Sequence, residues 1–327
     1  MFLELGVKPQ NKFWKYLVGS LIFLLGFTIG QIMISLVVML LESINHTSKL
    51  PAIGSASLGY LPPNVTLFLL AIAYVISLAT LYFVFRYLHR QNWISVTTSR
   101  PKTDWNRTVF AFAVSAIYWI LCYSVLVYFW PDEQTFQFRP IPFLIFFCIL
   151  IVLTFLRAMT EQTFYYGYMM QGFANLCGNR WFPLLMVSIV SSVIYATHPE
   201  ISAMGFVEMA LFQFIYSLFF SVLVLMDEGI ELAIGFEAAT LLIMESFFTS
   251  EATALKTDAL FTTFYDESET SDYGIGLENY VIRITIIVLF LLICAQKYRW
   301  TNWKEKLTGK INVSFEQQIE DTDLAEN

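Results

Sequence analysis

Charge is scarce in this sequence. Charged residues fill 14% of its 327 positions, whereas a soluble domain carries roughly 25%. So small a supply cannot coat a water-facing surface. Histidine is nearly missing, with only His46, His89 and His198. The four cysteines, Cys122, Cys148, Cys177 and Cys294, lie in or near apolar runs and show no C-x-x-C spacing. That excludes a disulfide framework and a zinc–thiolate site and leaves them as small apolar residues. The formal net charge is −7, and no basic stripe exists outside the loops that flank the apolar runs, which excludes a nucleic-acid partner.

What the chain does have is apolar surface: 57% of its residues are hydrophobic and 17% aromatic, with a mean hydropathy of +0.61. The apolar residues gather in runs of about 20, the length that crosses roughly 30 Å of hydrocarbon. The predicted fold is an all-α polytopic membrane bundle of eight spans, at about 16–41, 65–85, 108–130, 141–172, 181–198, 203–226, 230–248 and 279–296. The bilayer is therefore its first partner. Lys8, Lys12 and Lys15 precede an uncharged run from Tyr16 to Leu41. That run is too long for a signal-peptide core and ends in no small-x-small cleavage site, so it reads as a retained first span.

Loop charges predict the orientation. The N-terminal lysines, the cluster Arg86, Arg90, Arg100, Lys102 and Arg107, and the cluster Lys297, Arg299, Lys304, Lys306 and Lys310 all fall on one side of an eight-span bundle. That side is expected to be cytoplasmic, with both termini. The acidic loop 249–278 is expected outside. The acidic turn Asp227-Glu228 is discordant, because it falls on the basic side. The chain divides into helices 1–3 (residues 1–139), a core of helices 4–8 (140–297) and a polar tail (298–327).

Ionisable groups inside apolar runs are functional candidates by default, and spans four to seven carry Glu161, His198, Glu208 and Glu237 at or within theirs. Glu161, Tyr165 and Tyr168 follow i, i+4, i+7 spacing and are expected on one helix face. A carboxylate there is either a proton-accepting base or a structural helix–helix hydrogen bond. His198 ends a span, where an imidazole can face water or a metal, or cap the helix. Glu237 sits among Gly235, Ala238 and Ala239, which permit close helix approach.

These segments resemble, in order and context, the CPBP family of CAAX-protease and bacteriocin-processing (Abi) intramembrane proteases. The family's E-E-x-x-x-R motif with its following Gly-Tyr and Gln-Gly is matched by Glu161-Gln162-x-x-x-Tyr166-Gly167-Tyr168 and Gln171-Gly172. Its F-x-x-x-H is matched by Ile194-x-x-x-His198, and its H-x-x-x-N by Glu237-x-x-x-Leu241 after Gly229-Ile230-Glu231-Leu232-Ala233-Ile234-Gly235. A second register puts His198, before Pro199-Glu200, in place of an Asn, with Tyr195 in place of the histidine. The stretch 258–262 is similar to a loop that follows the third motif in some bacterial members. The resemblance covers roughly residues 140–297.

The resemblance implies an intramembrane endopeptidase in which Glu161 and His198 activate water, with or without a divalent, zinc-like metal held by Glu161, His198 and Glu237. Gln162, Tyr165, Tyr166 and Leu241 would line the substrate cavity. Gln162 and Tyr166 replace a Glu–Arg pair together, which avoids an orphaned buried charge. Leu241 replaces an Asn that polarises the substrate carbonyl, and loss of one oxyanion donor costs about 10²–10³ in rate in other enzymes. The expected function is therefore weakened or lost proteolysis, with binding or processing of a membrane peptide or protein of the bacteriocin-immunity or maturation type. An active metalloendopeptidase using Glu161 and His198 is the alternative, and a carboxylate-based ion-coupled transporter through Glu161, Glu208 and Glu237 a third. The resemblance also points to a bacterial plasma membrane.

Overall fold

The computed structural model describes residues 1–8, 11–45, 61–197, 205–250, 257–263 and 277–311. The tail beyond residue 311 and His198 lie outside that set. The protein is an all-α bundle. Its helices are α1 (Phe13–Asn45), α2 (Pro63–Phe83), α3 (Trp93–Thr97), α4 (Trp105–Phe129), α5 (Pro140–Gln162), α6 (Met170–Cys177), α7 (Trp181–Ala196), α8 (Phe206–Asp227), α9 (Glu231–Phe247), α10 (Leu277–Lys297) and α11 (Trp303–Thr308).

Over the described residues, each of the eight apolar runs is mostly helical. Six helical stretches are long and apolar enough to cross a membrane: Phe13–Val37, Pro63–Leu88, Trp105–Phe129, Pro140–Cys177, Phe206–Asp227 and Asn279–Lys297. Trp181–Ala196 is a shorter apolar helix. The outer faces of α1, α4 and α5 expose large apolar side chains such as Leu21, Leu25, Ile117, Leu121, Leu144 and Val152. Such a surface suits lipid, and the chain is a multi-pass membrane protein. The central helix α9 differs, being buried on nearly every side, Glu231 and Glu237 included. A helix apolar all round belongs inside a bundle.

Small residues set the close crossings. A β-carbon at Gly235 would strike the main-chain carbonyl of Thr108, so α9 lies backbone-close to α4. Gly26 and Gly30 of α1 meet Thr80 and Ala73 of α2 in the same way. Ser115 and Trp119 of α4 hydrogen-bond Thr240 of α9.

One end of the bundle gathers the N-terminal segment, the 86–107 connection, the α8–α9 turn and residues 298–311. The acidic turn that looked discordant on this basic side is neutralised by it. Arg100 reaches Asp227 and Glu231, each at 3.1 Å, and Arg107 also pairs with Asp227. Arg180 and Lys306 flank Glu228, whose carboxylate accepts the Phe2 amide at 2.6 Å. Asp227 and Glu231 are 1% exposed, so these pairs form a desolvated clamp. Removing one partner from such a clamp is strongly destabilising. At the opposite end, strands β1 (Gln134–Phe136), β2 (Phe248–Ser250) and β3 (Phe261–Thr263) form a small sheet in the order β1-β3-β2. The strand β3 overlaps the 258–262 stretch singled out in the sequence.

Candidate functional site

Two interruptions of regular helix position the site. The run 140–177 is continuous but contains a π-helical segment, Thr163–Met169, between α5 and α6. A π segment widens the turn and rotates everything after it relative to a 3.6-residue register. Tyr165 still faces Glu161, within electrostatic reach of it. Tyr168 does not, which corrects the expected i, i+4, i+7 face. Its hydroxyl lies 2.8 Å from His89 Nε2 on the α1 side of the bundle. Tyr166 turns inward onto Phe220 and toward Ser217, Ser191 and Glu237.

The structure brings Glu161 and Glu237 together from α5 and α9, close enough for the two carboxyl groups to interact directly. Neither is free. Arg157 Nε donates to Glu161 Oε1 at 2.9 Å, and the Tyr74 hydroxyl of α2 donates to the same oxygen at 3.4 Å. Arg157 also lies 3.6 Å from Glu245 of α9. Gln162 Nε2 donates to Glu237 Oε2 at 2.7 Å. Leu241, one turn beyond Glu237, is 9% exposed and offers no polar group.

Arg157, Glu161 and Glu245 remain 28%, 27% and 29% exposed although they sit within apolar helices. Charged side chains at that depth are tolerated where they face a bundle interior or a water-accessible cavity. Further polar atoms converge there. Gln162 Oε1 is buried without a hydrogen-bond partner, a group that water or a ligand would satisfy, and the hydroxyls of Tyr166, Tyr216 and Ser217 lie close to it around Glu237. Tyr195, the alternative to His198 in the second motif, lies within electrostatic reach of both Arg157 and Arg283. Glu208 falls elsewhere, in the first turn of α8, where a carboxylate complements the helix dipole.

Three contributors were missed in the sequence. Arg157 stands one turn before Glu161, and an R-x-x-x-E pair inside an apolar run was the signal for it. Tyr74 and Arg283 belong to spans two and eight, which read as plain packing helices. Arg283 stacks over Phe212 and Tyr216, 3.7 and 4.7 Å from the ring centroids, and donates to Gln213 at 3.4 Å. An isolated arginine in a run of mean hydropathy 2.0 was readable as an interior group.

A divalent cation needs unshared carboxylate oxygens and exclusion of competing cations. Arg157 and Tyr74 engage one oxygen of Glu161 and Gln162 one oxygen of Glu237, so a cation entering there would compete with the Arg157 guanidinium. Among the described residues, no group of three or more His, Cys, Asp or Glu side chains converges as a ligand set.

No family model matches the chain, and no solved structure matches it. It is similar to the uncharacterized protein YyaK of Bacillus subtilis (strain 168). The two are 21% identical over 249 residues, which cover 75% of this chain and 81% of the relative.

Proposed function

We propose that this is a CPBP-like protein of a bacterial plasma membrane that binds a membrane peptide or protein in its interior chamber, with peptide hydrolysis weakened or lost. The eight helices then form eight spans with both termini cytoplasmic. The positive charges gathered at one end and the bacterial relative support that placement.

The observation that carries the reading is the pairing of both carboxylates. A general base must present a lone pair to water in a workable geometry. Glu161 is instead held by Arg157 and Tyr74, and Glu237 by Gln162. What the chamber offers is recognition: a cation, carboxylates and phenols set in an apolar bundle, able to match polar groups of an inserted segment. The clustering of Tyr165, Tyr166, Tyr195 and Tyr216 adds flat apolar faces with a hydroxyl at each edge.

The test uses full-length protein reconstituted with synthetic hydrophobic membrane peptides. Cleavage and peptide retention are followed for the wild type, Glu161→Ala and His198→Ala. Retention without cleavage in all three is expected. Wild-type cleavage abolished by either substitution would establish the active endopeptidase instead. Absence of retention for every peptide would remove the binding reading.

A further inference from the structure

A separate polar cavity lies at the basic end, between the start of α1 and the end of α2. Its volume is about 410 Å³ and it is lined by Lys15, Tyr87, Leu88, His89 and Arg90. The floor is fixed and uncharged. His89 is fully buried, with Nδ1 3.1 Å from Asn11 Oδ1 and Nε2 2.8 Å from the Tyr168 hydroxyl. An amide oxygen only accepts, so Nδ1 carries a proton. Both ring nitrogens are engaged, and burial pulls the imidazole's pKa down to about 4.

The charge facing this cavity comes from Lys15 and Arg90, and among the described residues no acidic side chain lines it. Arg100, Arg107, Arg180 and Lys306 at the same end all pair with carboxylates. Among the described residues, Lys15 and Arg90 do not. Arg90 also holds a left-handed backbone, φ 52°, at a helix end where glycine is the favoured residue. A charged side chain therefore stands where the backbone alone would prefer none. The level in the membrane is set by Trp14 and Tyr87, 54% and 72% exposed, residues of the kind that sit among lipid headgroups.

We propose that this cavity binds the phosphate of an anionic lipid, with the Arg90 guanidinium and the Lys15 ammonium on the phosphate oxygens. Basic pockets between membrane helices on the cytoplasmic side take such headgroups, and guanidinium matches phosphate in a two-point geometry. The site is independent of the Glu161 chamber.

The test measures lipid retained by the purified full-length protein after exposure to mixed micelles of phosphatidylglycerol and phosphatidylcholine. The variants are Lys15→Gln, Arg90→Gly and the double substitution. Arg90→Gly removes the charge while suiting the left-handed backbone, so misfolding is not its expected consequence. Wild type should retain phosphatidylglycerol selectively. Each single variant should bind it about 5-fold more weakly, and the double variant should show no selectivity. Selectivity unchanged in the double variant overturns the proposal. Displacement by an equal concentration of inorganic phosphate also overturns it, by assigning the site to a soluble phosphate.

Discussion

Gln162 reaches from α5 to α9 and donates to the Glu237 carboxyl at 2.7 Å, with both side chains almost fully withdrawn from solvent. Gln162 is a neutral donor aimed at an acid buried in the bundle, and that bond meets part of the cost of placing a carboxyl there. Gln162→Leu leaves the Glu237 oxygen without its donor and should lower stability by about 1–3 kcal/mol. Gln162→Leu combined with Glu237→Leu should recover part of that loss, since replacing both partners removes the unmet polar group. Unfolding of the two single variants and the double in detergent reads the coupling. Strict additivity would mean that the hydrogen bond contributes nothing of its own.

Arg157 is hydrogen-bonded to Glu161, and it also lies beside Glu245. Arg157→Met should destabilise the protein, because two carboxylates lose their cation together. Unfolding in detergent reads the loss, and Arg157→Lys, which keeps one positive charge beside Glu161, should recover part of it. An unfolding midpoint unchanged in Arg157→Met would show that neither carboxylate depends on the guanidinium.

The sequence revealed the helices more readily than the chamber. Apolar runs such as 108–130 and 279–296 announce themselves because hydrocarbon demands about 20 apolar residues in a row. The π segment at Thr163–Met169 left no such trace. Period-3.6 spacing put Tyr168 beside Glu161, and the extra residue in the turn sent it to His89. Arg157 lies one turn before the motif, where the sequence pattern carries a cation at position 166 only, and that position holds Tyr166 here. Tyr74 and Arg283 lie far from Glu161 in sequence, and only the packing of α2 and α10 reveals their role. The acidic turn at Asp227 looked misplaced because loop charges alone do not say which basic residues fold back onto it.

His89 provides a pH test outside the apolar spans. Burial, with Lys15 adding repulsion, pulls its pKa from 6.5 down to about 4. Between those values the unfolded chain binds a proton that the folded chain refuses. The His89 contribution is thus fully present above pH ~6.5 and is lost as pH falls toward ~4. Its limit is about 3 kcal/mol. Wild-type unfolding midpoints should fall between pH 7 and 4.5, and His89→Gln should flatten much of that slope. Equal slopes in the two proteins would place the acid sensitivity in other groups.

The closest helix crossing offers a test in which two effects oppose each other. Gly235→Ala should stabilise an isolated helix by up to about 1 kcal/mol. In the bundle, the new methyl meets the Thr108 carbonyl and then Ala111 of α4. The obstacle is main chain inside a continuous helix, so it cannot rotate aside as a side chain would. Relief requires α4 and α9 to separate, and overpacking of this kind costs about 1–3 kcal/mol. The collision should win, and the unfolding midpoint should fall. Glu237 is two residues along the same helix, so separation should also lengthen its contact with Gln162. Gly235→Ala together with Gln162→Leu is then expected to cost less than the sum of the two. A midpoint raised by Gly235→Ala would show that α9 is not held against α4 at this point.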